Sequence, residues 1–122
     1  QFAIPMPSSW NEGTVTFRPI WSHTTGSGAV VWVLQAVAVS DDDTILANFG
    51  AVQSVTDTGG TANDIYIGPE SSAITIAGTP ASGDLVFFRV ARNATAVGDT
   101  LTVDARLHGI QLFMTTDAEV DS

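Results

Sequence analysis

The 122-residue sequence contains no cysteine, which excludes disulfides, thiolate nucleophiles and cysteine-based zinc sites. Lysine is absent too. The four basic residues are Arg18, Arg89, Arg92 and Arg106, against thirteen acidic ones, for a formal net charge of −9. A nucleic-acid groove needs clustered Lys and Arg to neutralise phosphates, and an anionic bilayer attracts the same residues. Neither partner is expected. No apolar run approaches the roughly 18 residues that span a bilayer; the longest, Ala29 to Val39, is broken by Gln35, so membrane insertion is not expected either. The opening at Gln1 shows no Met, no basic stretch and no apolar leader, so the chain reads as a processed or internal piece of a longer protein.

What is present is strand-forming and apolar. Hydrophobic residues make up 44% of the chain and charged ones 14%, a balance that folds rather than staying disordered. At this length a chain buries roughly two-thirds of its unfolded surface, enough for a core without staples. Val, Ile, Thr, Phe and Trp dominate, and Gly, Pro, Asn, Asp and Ser clusters interrupt them at short intervals. That spacing predicts an all-β fold of about eight strands, an antiparallel β-sandwich of jelly-roll type. One domain is expected over residues 1–114, with 115–122 as a frayed acidic tail.

Alternation places the strands. Phe2 to Met6 opens the series, and Thr14 to Ser22 follows with Val15, Phe17, Pro19 and Trp21 on one face. Pro19 suggests an edge or a bulge there, because it donates no ladder bond. Ala29 to Val39 and Asp84 to Arg92 are apolar on both faces, so each needs a cover besides the opposite sheet, either a loop or a neighbouring subunit. Ala51 to Thr56, Asp64 to Gly68 and Ala73 to Ala77 are shorter strands, and Asp57 to Asn63 is a loop. Leu101 to Met114 changes phase: Leu101, Val103, Ala105 and Leu107 point inward, then Ile110, Leu112 and Met114. A β-bulge at His108-Gly109 produces such a slip.

Candidate sites are few. His23 and His108 read as loop and surface residues, and no nucleophile elbow occurs. The acids sit mostly in turns, where they bond their own backbone, so no facing pair for glycoside hydrolysis stands out. Asp41, Asp42 and Asp43 offer hard oxygens for Ca2+, or else form a solvated turn or one capped helical turn. Arg18, Arg89 and Arg106 fall inside strands and are placed for bidentate pairing with carboxylates such as Asp84 or Asp104, within the chain or across an interface. Trp10, flanked by Ser9 and Asn11 in a turn, is expected to be exposed and, with Tyr66, could stack a sugar. Asn93-Ala94-Thr95 is a glycosylation sequon in a loop.

Several segments carry a family resemblance. They are Pro7-Ser8-Ser9-Trp10-Asn11-Glu12-Gly13-Thr14-Val15-Thr16-Phe17, the strand from Val30 to Ala38, Asp57 to Asp64, Ala77 to Val90 and Asp99 to Leu107. In this order they resemble a family of small β-domains at the C-terminal ends of tailed-phage virion proteins. The resemblance implies a place at the virion surface, as a fibre, spike or decoration module that assembles as a homo-oligomer. It supplies no catalytic residues. The combined expectation is a non-enzymatic, extracellular or virion-surface module, trimeric, whose partners are its own copies, other virion proteins or a surface glycan. The alternatives are a subunit of an extracellular filament or surface layer, and a carbohydrate-binding module.

Overall fold

The computed structural model describes residues 1–115, and every regular element among them is a β-strand. In chain order these are β1 (Phe2–Pro5), β2 (Thr16–His23), β3 (Gly28–Val39), β4 (Gln53–Gly59), β5 (Tyr66–Ile67), β6 (Leu85–Arg92) and β7 (Ala105–Phe113). They form two antiparallel sheets in a sandwich: one ordered β1-β6-β3-β4, the other β5-β2-β7. The acidic tail expected over 115–122 lies, from residue 116 onward, outside the described residues.

Alternation builds the core between the sheets. Val30, Trp32, Leu34, Ala36 and Ala38 of β3 meet Val15, Phe17 and Trp21 of the β2 segment, with Val86 and Phe88 from β6. The opposite face of β3 is buried as well. Val31, Val37 and Val39 lose nearly all their exposure within a single chain. Loop residues lie against this strand: Gly50 donates to the Ala36 carbonyl at 3.1 Å, and Gln35 Nε2 donates to the Gly50 carbonyl at 3.1 Å. The cover of β3 is therefore the chain's own loop. The outer residues of β6 (Leu85, Arg89 and Ala91) are exposed.

Among the described residues seven strands stand where about eight are expected. Ala73 to Ala77 is no strand, because it bonds to both sheets and can lie along neither. Ile74 exchanges two backbone bonds with Val15, and Ala77 bonds Ala36 and Ala38 of the other sheet. Ile74 and Ile76 are buried in the crossing. Asp57 to Gly59, expected in a loop, extends β4, because β3 offers pairing partners as far as Gly28. Pro19 sits in the central strand of its sheet rather than at an edge. On its β5 side the chain bonds β2 only at intervals, Gly68 N–H to the Pro19 carbonyl and Ser71 N–H to that of Phe17. The bulge falls where the phase change puts it. Ile20 pairs with Gly109 and Trp21 with Leu107, leaving His108 as the extra residue.

Candidate functional site

The structure separates the two aromatics expected to bind sugar. Trp10 is 2% exposed. Its N–H donates to the Pro7 carbonyl at 3.1 Å, closing a turn, and the indole joins the core with Met6 and Val15. It has no outward face on which a sugar could stack. Tyr66 is half-buried, its ring against Trp21 and stacked on His23, with centroids 5.5 and 6.0 Å away. Its phenol oxygen accepts the N–H groups of Gly60 at 3.0 Å and Thr61 at 2.7 Å. Tyr66 thus clamps the β4–β5 loop.

His23 is a correction. It is the last residue of β2, fully buried, with Nδ1–H donating to the Thr25 carbonyl at 3.1 Å. The alternation Phe17, Pro19, Trp21 continues one step to His23 and points it inward. Gly59 is the residue that makes room: a Cβ there would stand 2.6 Å from the imidazole. His108 is exposed at the bulge, and its Nε2 meets Ser22 Oγ at 2.8 Å. Ser22 is buried, so this Ser–His contact pins β7 to β2 without presenting a hydroxyl to solvent.

The aspartate run forms a tight turn rather than a helical one. Asp43 accepts from Ser40 N–H through Oδ2 at 3.0 Å and returns a bond to the Ser40 carbonyl at 3.1 Å, while Asp42 has φ of 68°. Among the described residues no cluster of three or more His, Asp or Glu is placed to hold a metal ion. Asn93 is exposed just beyond β6, its side-chain oxygen accepting from the Thr95 hydroxyl at 3.0 Å.

Among the described residues, none of the three in-strand arginines takes a carboxylate partner. Arg18 lies over the Phe113 ring at 5.9 Å, Arg89 over Phe49 at 5.8 Å, and Arg106 donates to Asn63 at 3.0 Å. Asp84 is occupied elsewhere, accepting from the Ser40 hydroxyl at 2.6 Å and Ala81 N–H at 2.9 Å. The ion pair among the described residues is Arg92–Asp99, which the sequence reading passed over. It is bidentate, at 2.6 and 3.0 Å. Arg92 also donates to the carbonyls of Leu101 and Val103, and Asp99 accepts Val31 N–H. The hydrogen bond from Arg92 holds the Asp99 carboxyl below its ordinary range against the opposing effect of burial, and the same bond raises Arg92. No local pattern marks this pair. Its only trace is an arginine at a strand end and an aspartate closing the loop that follows.

The feature that remains is an open seam. β1 and β7 are edge strands of opposite sheets, and between them runs a groove of about 370 Å³ lined by Phe2, Val90, Leu107, His108, Gly109 and Ile110. In the central strand β2 the inward residues Phe17, Pro19 and Trp21 are fully buried. On the open side the inward row of β7 (Ala105, Leu107, Ile110 and Leu112) is only half-buried although it packs on the core. The seam offers apolar surface beside strand edges that pair with no further strand among the described residues, which is the chemistry of strand addition. No family model, curated protein or solved structure matches this chain.

Proposed function

We propose that the chain is a non-enzymatic structural module of a larger assembly at a virion surface or outside the cell, of fibre, spike or decoration type. In this reading it works by packing against its own copies and neighbouring structural proteins. The observation that carries it is the half-buried apolar row of β7 beside the groove at an open sandwich edge. An apolar strip of this kind marks an interaction surface. The order of segments that resembles tailed-phage virion domains supports the location. The acidic, lysine-free composition supports a partner that is neither nucleic acid nor an anionic membrane. A glycan contact loses its support with Trp10 inside the core.

Light scattering coupled to size exclusion tests the assembly half of this reading. A homo-oligomer is expected at about 10 μM, and a strict monomer even at about 100 μM would sink it. Electron microscopy of native material separates a virion location from an extracellular filament.

A further inference from the structure

We propose that the β3–β4 connection is a proteolytic processing site, cut between Leu46 and Ala47 by an endoprotease with an apolar specificity pocket, and that the domain persists afterwards as two interlocked chains.

The site lies between two anchors. Residues 40–52 join β3 to β4. At one end Asp43 N–H donates to the Ser40 carbonyl at 3.1 Å, and at the other Gly50 N–H donates to the Ala36 carbonyl at 3.1 Å. Phe49, beside the second anchor, lies under the Arg89 guanidinium at 5.8 Å. Among the described residues, the hydrogen bond made between Thr44 and Asn48 is a local one, from Leu46 N–H to the Thr44 hydroxyl at 3.1 Å. Ile45 and Leu46 are 75% and 85% exposed. A protease takes its substrate as an extended segment lifted clear of the fold, so it cuts where few backbone bonds oppose that opening. A specificity pocket built as an apolar slot then selects Leu46.

The other long connections are tied down. In the stretch from β5 to β6, Gly68, Ser71, Ile74 and Ala77 each donate to a carbonyl of the β2 segment or of β3. In the stretch from β6 to β7, the Arg92–Asp99 pair closes the loop, and Thr100 and Leu101 both donate to the Ala29 carbonyl. Val97 is 99% exposed there, but it stands between Ala96 and Asp99, whose N–H groups close successive turns on Asn93 and Ala96.

Strand order explains why the fold survives the cut. Hydrolysis adds one water across the Leu46–Ala47 bond, leaving a carboxylate on Leu46 and an ammonium on Ala47. One piece then holds β1, β2 and β3, and the other holds β4, β5, β6 and β7. Among the described residues, every ladder joins a strand of the first piece to a strand of the second: β1 to β6, β2 to β5, β2 to β7, β3 to β4 and β3 to β6. Neither piece keeps a native ladder by itself, and the two together lose none. The buried core is shared in the same way, with Trp21, Trp32 and Leu34 on one side of the cut and Val55, Ile74, Val86 and Phe88 on the other.

Limited chymotrypsin digestion of the full chain, read by intact-mass spectrometry, tests the site. The first cut within residues 1–113 is expected after Leu46. The pieces 1–46 and 47–122 are expected to co-elute on size exclusion at the volume of the uncut chain, to keep its circular dichroism spectrum, and to separate in urea. Leu46→Asp changes an exposed side chain, so it is expected to fold, and to be cut within residues 44–48 at least about tenfold more slowly. A chain that stays whole, a first cut elsewhere within residues 1–113, or a variant cut as fast as the wild type overturns the site. Pieces that come apart without denaturant, or that lose the strand signal, overturn the interlock.

Discussion

Asp99 ties three parts of the chain together at one carboxylate: Arg92 at the end of β6, the Val31 amide in β3 and the loop that leads to β7. Its side chain is 1% exposed, while that of Arg92 keeps 19%. Removing one partner of such a pair strands the other, at a cost of about 3 kcal/mol. Asp99→Asn is therefore expected to destabilise the fold by about that amount at pH 7. The pH dependence follows from the direction of the shift. A carboxyl held below its ordinary value contributes stability above about pH 4, and that contribution fades as pH falls through the lowered folded value. The gap between wild type and Asp99→Asn should thus narrow below about pH 4. Denaturant titrations at pH 7, 5 and 3 check this, and a gap constant across that range would refute it.

At the scale of elements, the bulge in β7 decides which side chains face the core. Deleting His108 leaves Leu107 inward, Gly109 outward and Ile110 inward, so the alternation becomes regular and the faces are kept. That variant is expected to fold, with a melting temperature lowered by only a few degrees. Deleting Gln111 instead forces either Ile110 or the pair Leu112 and Met114 outward, and should cost at least about 2 kcal/mol more. Thermal unfolding of the two deletions, measured side by side, tests the ranking.

The bulge was legible because a change of phase is written in the chain, as were the inward rows of β2 and β3. Other features were not, because distant contacts decide them. Trp10 turns inward through the Pro7 turn, and nothing in Ser-Ser-Trp-Asn says which way that turn faces. Ile74 and Ile76 alternate like a strand, yet their backbone bonds run to two sheets. The seam was hidden too, since β7 has the same apolar pattern as β2 and only their places in the sheet differ. Of the proposed site residues, Arg18, Arg89 and Arg106 lie on strands as read. Among the described residues their partners are two rings and an amide rather than carboxylates.

For the whole molecule, charge rather than shape governs how copies meet in solution. The excess of acids puts the isoelectric point near 4.1, and repulsion between acidic surfaces opposes non-specific association at neutral pH. As pH falls toward that value the repulsion vanishes, so solubility is expected to pass through a minimum near pH 4. Turbidity between pH 3 and pH 8 should peak near pH 4, and a peak above pH 6 would contradict it. The sandwich itself meets load differently. The segment from Ala73 to Ala77 is bonded to Val15 in one sheet and to Ala36 and Ala38 in the other. Sliding the sheets past one another must break the bonds at one end of this segment or the other. The crossing segment works as a tie between the two layers, so they resist shear by backbone bonds as well as by side-chain packing.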